Sequence, residues 1–189
     1  NVYAFIGFAV ASTLFLSSLL LADYSKASDE LQAYNVYRRD ALIMGPISLA
    51  MAFAVMFTLK NEAAWIYNNM MENLYILIIS VIFFLIGGLA LVLPSIGNKS
   101  LRGIPRLAVI MVTLQYLAAS YVYGNAHLPY IVYPEVTIQS AFTDPNSFRA
   151  VFTTYIVGFL ILFPGFIYFW SLFMQDKRYL RQKKTKEQT

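Results

Sequence analysis

The sequence predicts an all-α membrane protein, a bundle of five transmembrane helices. Of its 189 residues, 59% are hydrophobic and only 13% are charged, against about 25% charged residues in an ordinary soluble domain. The mean hydropathy is +0.59, and the apolar residues form long unbroken runs, as in helices, rather than the alternating pattern of a barrel. A soluble domain of this length could not bury so many apolar side chains. The 16% aromatic content also excludes a disordered chain.

Five apolar runs are long enough to cross the hydrocarbon core, which takes about 20 helical residues. The central part of each run carries no charged residue and no histidine. We therefore predict five transmembrane spans, followed by a basic cytoplasmic tail at residues 175–189. The spans are Val2–Ala22, Ala41–Leu59, Leu74–Leu93, Ile104–Tyr123 and Ala150–Met174.

The positions of the basic residues predict an orientation. Alternating helices place residues 23–40, residues 94–106 and the tail on one side of the membrane. Of the 14 lysines and arginines, only Lys60 and Arg149 fall on the other side. Because basic connections face the cytoplasm, we predict that the N-terminus is outside and the C-terminus is cytoplasmic.

Residues that could carry redox chemistry are scarce. Cysteine is absent, which excludes disulfides, thiolate nucleophiles and Cys-held metals. His127, at the predicted outer end of the fourth span, is the only histidine. A single histidine cannot form a bis-histidine haem site. Three roles remain open for His127, as a single axial ligand, as a quinol contact or as a solvated side chain. Met44, Met51, Met56 and Met111 lie within spans, and we interpret them as lipid-facing residues or core filler rather than as ligands.

Residues for proton transfer or hydrolysis are also scarce. Proton and ion routes need buried acids or bases, and Gln115 is the most polar mid-span residue. Glu135 and Asp144 lie in the outer connection without metal-ligand spacing, and no phosphate loop, nucleophile elbow or HExxH motif occurs. We predict no catalytic, cofactor-binding or metal-ligating residue in this chain. Nucleic-acid binding is not expected, because the net charge of +4 is spread among apolar spans.

Small residues and prolines predict how the helices pack. Gly45-Pro46 falls in the first turns of the second span, where proline is tolerated, and Pro164 should bend the fifth helix. Small residues spaced along one helix face allow neighbouring helices to approach closely. These residues are Gly7, Ala11, Ala50, Ala54, Gly87, Gly88 and Ala90.

Three segments, in order, carry a resemblance to a known family. They read Gly124-Asn-Ala-His-Leu-Pro-Tyr-Ile-Val-Tyr-Pro134, Val136-Thr-Ile-Gln-Ser-Ala141 and Phe142-Thr-Asp-Pro-Asn-Ser-Phe148. With the last span and its central Pro164, this order resembles the C-terminal part of subunit II of cytochrome bd-type quinol oxidases. Where that family often has an aromatic and an acid after Thr-Ile, this chain has Gln139 and Ser140. We expect Asn1 to lie within, or to follow, a longer polypeptide.

The resemblance implies a specific role. Such oxidases couple quinol oxidation to the reduction of O₂ to water and generate a proton motive force. Two b-type haems and one d-type haem belong to subunit I, and subunit II binds none. This chain would then pack against subunit I in a bacterial or archaeal plasma membrane. Its implied partners are subunit I, membrane lipid, a small accessory subunit and, for the complex, quinol.

Two other functions remain open from the residues alone. One is a fragment of a secondary transporter, which kinked helices fit, although transporters usually place polar groups or broken helices near the midplane. The other is a membrane-embedded lipid-modifying enzyme. It would need clustered polar residues at one interface, and only residues 125–148 offer any.

Overall fold

The computed structural model describes residues 2–94, 103–142 and 144–174. Within them, five helices are long and apolar enough to cross a membrane, which confirms the predicted polytopic all-α class. The predicted tail at 175–189 lies outside the described residues. The described elements, in chain order, are α1 (Val2–Ala27), α2 (Leu31–Glu62), α3 (Ala64–Glu72), α4 (Leu74–Val92), α5 (Pro105–His127), β1 (Tyr130–Val132), β2 (Val136–Thr137), α6 (Ile138–Ala141) and α7 (Pro145–Met174).

The chain divides into two compact units. The first, Asn1–Leu128, contains α1 to α5, and the second, Pro129–Thr189, contains the two strands, α6 and α7. In the first unit α1 packs along α2 and α4 packs along α5, while contacts between α1 and α5 join the two pairs.

The polar connection between the first two spans is almost entirely helical. A tight turn separates α1 from α2, with Asp29 at a φ of 60° and the Glu30 amide donating to the Ser25 carbonyl over 2.9 Å. Since α2 already begins at Leu31, Pro46 lies inside this helix. Our placement of Pro46 in the first turns was therefore wrong, because helix-forming polar residues extend the helix beyond its apolar run.

Glycines allow close helix approach at two interfaces. A Cβ at Gly45 would lie 3.2 Å from Phe15 Cε2, and one at Gly87 would lie 2.9 Å from Val112 Cγ2. The first contact brings α1 against α2, and the second brings α4 against α5. Around these contacts lies one buried apolar cluster, made of Phe15, Leu19, Ala41, Ala90, Leu91, Ala108 and Val112.

The small residues of α2 pack differently from our prediction. Ala50 is exposed, so its pairing with Ala54 does not form a helix contact within the first unit. Ala41, Gly45 and Ser48 are buried instead. They recur every three or four residues and so share one helix face within the same apolar run.

A short helix, which the sequence did not predict, lies at the end of the first unit where α2 ends and α4 begins. This helix, α3, contributes Ile66 and Met70 to a second buried cluster with Leu59. The Asn69 Nδ2 donates to the Ala126 carbonyl oxygen over 3.0 Å. That bond ties α3 to the last turn of α5.

The second unit opens with a small antiparallel hairpin. Tyr130 lies opposite Thr137, and Val132 lies opposite Val136. Thr137 then starts α6 through a reciprocal capping box with Ser140, whose two bonds measure 2.9 and 3.1 Å. The side chain of Ser140 therefore accepts a hydrogen bond from the backbone amide of Thr137.

Helix α7 is the longest of the elements that the structure describes in the second unit. Near its start, Asp144 Oδ2 accepts hydrogen bonds from both the amide and the Oγ of Ser147, each 3.0 Å long. These bonds lower the pKa of the Asp144 carboxyl, because they favour its charged form. The helix continues through Pro164 to Met174.

Candidate functional site

His127 lies in the last turn of α5 and is half-buried. Its Nδ1 is 3.0 Å from the Tyr123 carbonyl oxygen. Since a carbonyl can only accept, Nδ1 carries the hydrogen and donates it. The imidazole also meets the rings of Tyr123 and Trp65 edge-on, with centroids 4.5 and 5.8 Å away. His127 is thus part of the packing between α3 and α5, with the Nε2 lone pair as its acceptor in the neutral form.

Three of the methionines within the predicted spans, Met44, Met51 and Met56, are in packing contacts. Met44 and Met56 lie against the two buried apolar clusters. Met51 lies against Gly7, with Sδ 3.1 Å from the place a Cβ would take. The half-buried Tyr116, next to Gln115, donates its hydroxyl to the Ser12 carbonyl oxygen over 3.5 Å, a contact between α1 and α5. Within 2–94, 103–142 and 144–174, no three His, Asp or Glu side chains are placed to hold a metal ion.

The most developed polar arrangement lies at the other end of the first unit. Here the end of α1, the start of α2, the end of α4 and the start of α5 meet. We call this group of side chains and backbone the polar cluster. Its members are Asp23, Lys26, Tyr34, Arg38, Leu91, Gly103 and Arg106.

Two basic side chains of the polar cluster bind backbone carbonyls. Lys26 Nζ donates to the Gly103 carbonyl oxygen over 2.6 Å, and Arg38 Nε donates to the Leu91 carbonyl oxygen over 2.7 Å. Lys26 also lies 5.5 Å from the centre of the Tyr34 ring, a cation–π distance. The last carbonyls of a helix lack partners within the helix, so Arg38 satisfies one such group at the end of α4.

The segment before α5 is bound to α4 through its backbone. The amides of Gly103 and Ile104 donate to the carbonyl oxygens of Leu93 and Ala90, both over 2.6 Å. Gly103 has a φ of +98°, a conformation that side chains disfavour. A Cβ there would overlap the Tyr34 hydroxyl and lie 3.0 Å from the Leu91 carbonyl oxygen. Position 103 thus requires glycine for two independent reasons.

One ion pair completes the polar cluster. Arg106 Nε and Nη2 both lie 3.4 Å from Asp23 Oδ2, linking α5 to α1. Arg106 is 74% exposed, so this pair contributes only a few tenths of a kcal/mol, up to about 1 kcal/mol. The ion pair mainly positions the Arg106 side chain, which it holds beside Lys26.

Only part of the polar cluster could be predicted from the sequence. From the sequence, the positive charges of Lys26, Arg38 and Arg106 predicted only the orientation of the helices in the membrane. The structure brings all three side chains to the same end of the first unit. Tyr34 and Gly103 were missed. A glycine immediately before Ile104-Pro105 is a weak turn signal, and its contact with Tyr34 depends on helix packing.

The fold is that of a multi-pass helical membrane protein, in which Lys26 and Arg38 bind backbone carbonyls near helix ends. The family model for cytochrome bd terminal oxidase subunit II matches residues 2–173. The chain therefore belongs to the cytochrome bd oxidase subunit II family.

A curated relative agrees with this family. The chain is 56% identical over 183 residues to a protein of Bacillus subtilis (strain 168) named as a cytochrome bd menaquinol oxidase subunit II. The match covers 97% of this chain and 53% of the relative, so the chain spans about half the length of that protein. No solved structure gives a significant match.

Proposed function

We propose that this chain is a haem-free part of subunit II in a respiratory cytochrome bd-type quinol:O₂ oxidoreductase. Family membership supports the oxidase. The haem-free role is supported by His127, the chain's only histidine, whose Nδ1 is bonded to the Tyr123 carbonyl at a helix end. With one histidine, the chain cannot supply both ligands of a bis-histidine haem site. The two b-type haems and the d-type haem are assigned to subunit I.

We infer that the chain packs against subunit I and supports it. A supporting subunit needs a rigid shape of its own, and two features provide one. The polar cluster joins four helices at one end of the first unit, and Asn69 joins α3 to α5 at the other. Large apolar side chains such as Phe53 and Phe57, 63% and 68% exposed, face outward toward lipid or a neighbouring subunit.

We also infer the orientation in a bacterial or archaeal plasma membrane. Among the described residues of the first unit, Lys26, Arg38, Arg39 and Arg106 lie at the helix ends that meet in or beside the polar cluster, and Lys60 lies at the opposite end. The positive-inside rule assigns the former end to the cytoplasm. The N-terminus of α1 is then outside.

The transporter alternative gains no support. Transporters commonly break helices near the midplane to bind substrate. Here the five span-length helices in the described residues each continue without interruption, including α7 across Pro164.

The proposal is tested on the full-length subunit, tagged and purified from its native host in mild detergent. We expect it to bring along a haem-bearing partner, a d-type band in the reduced-minus-oxidised spectrum, and quinol-dependent O₂ uptake. Menaquinol is the first substrate to assay, because the relative is named for it. A complex without haem, or one that oxidises no quinol, would contradict the proposal. Substrate uptake into proteoliposomes would favour a transporter.

A further inference from the structure

A cleft of about 230 Å³ lies beside the polar cluster, between the end of α1 and the start of α5. Its volume is far above the roughly 10–15 Å³ that a cavity needs to hold one water, which leaves space for a phosphate group. Asp23, Lys26 and Arg106 supply its charged lining, and Ala27, Ile104 and Pro105 complete it.

The charge in the cleft favours an anion. Lys26 and Arg106 contribute two positive charges and Asp23 one negative charge, and since Asp23 is paired with Arg106, one positive charge is in excess. The first turn of α5 adds to this potential, because a helix begins at its positive end. Arginine and lysine together are the usual protein groups that bind phosphate oxygens.

The helix ends around the cleft indicate a position at the level of the lipid headgroups. Two candidate spans border it, since Val2–Ala27 ends there and Pro105–His127 begins there. A lipid whose tails follow the apolar parts of α1 and α5 would therefore bring its phosphate to this level. Basic pockets between membrane helices bind anionic lipid headgroups in this way.

We propose that the Asp23–Lys26–Arg106 cleft binds the phosphate of an anionic phospholipid. Arg106 and Lys26 hold the phosphate oxygens. Asp23 keeps the arginine in place. The bound lipid would lie along the outer surface of the bundle, where α1 and α5 meet.

The experiment compares two matched arginines in the purified oxidase complex containing the full-length subunit. Arg106 and Arg39 are 74% and 71% exposed, and each pairs with one aspartate, Asp23 or Asp40. Only Arg106 lines the cleft. Delipidated wild-type, R106Q and R39Q complexes are titrated with phosphatidylglycerol in mixed micelles, and bound lipid is counted by native mass spectrometry. Phosphatidylcholine and inorganic phosphate at the same concentrations are the other two arms.

The expected result is a loss of phosphatidylglycerol affinity of about fivefold in R106Q, which is the value of one basic residue at a lipid surface. R39Q should change it less than twofold. Equal losses in both variants, or none in R106Q, would overturn the proposal, since binding would then follow the overall surface charge. Equal binding of phosphatidylcholine would overturn the requirement for an anionic headgroup. Occupancy by inorganic phosphate that displaces the lipid would overturn the lipid as the occupant.

Discussion

Replacing Gly103 by alanine tests whether the polar cluster holds the first unit together. The glycine sits where the segment before α5 passes over the end of α4, with its carbonyl bound by Lys26. Its φ of +98° strains any other residue. The added methyl group would also overlap the Tyr34 hydroxyl and press on the Leu91 carbonyl oxygen.

The two effects give the magnitude. A residue with a side chain held in a sparsely populated backbone region costs about 1–3 kcal/mol, and overpacking costs a further 1–3 kcal/mol or so. Gly103→Ala should therefore reduce the free energy of unfolding by at least about 2 kcal/mol. At roughly 2–4 °C per kcal/mol for a domain of this size, we expect Tm to fall by about 5 °C or more.

The assay is thermal unfolding of the purified complex, followed by tryptophan fluorescence and by the loss of the monodisperse peak. Gly88→Ala is the matched control, because nothing lies within 4 Å of a Cβ at that position, and it should leave Tm nearly unchanged. In the double variant Tyr34→Phe/Gly103→Ala, part of the overlap is gone, so the two changes should cost less together than their sum. If Gly103→Ala were as harmless as Gly88→Ala, the reasoning about this cluster would be refuted.

Two further predictions concern single hydrogen-bonded groups. Arg38→Met leaves the Leu91 carbonyl without its 2.7 Å donor, and chemical denaturation should show that the free energy of unfolding falls by about 1–3 kcal/mol. The control is Arg39→Met at an exposed position, which should change the free energy of unfolding by no more than about 0.5 kcal/mol. Equal losses in the two variants would contradict this prediction. The lowered pKa of Asp144 means that its carboxylate stabilises the folded state at pH above its unfolded pKa of about 3.9, and this contribution is lost as pH falls through the lower folded value. Hydrogen exchange at the Ser147 amide should accordingly be faster in Asp144→Asn than in the wild type at pH 6, with the difference vanishing at low pH; a difference that persists unchanged in acid would count against this reasoning.

The five apolar helices could be predicted from the sequence because a membrane-crossing helix requires a long apolar run. Five runs without charge in their centres must become helices, since lipid offers no partner to an open backbone. The ends of the helices agreed less closely with the ends of the predicted spans. α1 and α2 extend through polar residues to Ala27 and from Leu31, where water, helix propensity and packing decide the boundary rather than hydropathy.

The polar cluster could not be predicted from the sequence, because its contacts join distant residues. Lys26 and Gly103 are 77 positions apart, and Arg38 and Leu91 are 53 apart. Only the packing of α1 with α2, and of α4 with α5, brings them together. Likewise, helical periodicity alone did not distinguish the exposed Ala50 from the buried Ala41, since the choice of face depends on what the neighbouring helix presents.

The central claim, that this chain supports haem chemistry without binding haem, is tested most directly by replacing its one histidine. His127→Ala is introduced into the full-length subunit, and the purified complex is compared with the wild type by reduced-minus-oxidised spectra and by haem content per complex. We predict the same b-type and d-type bands and the same haem ratio, with both large subunits present. Loss of one haem from an otherwise intact complex would contradict the claim.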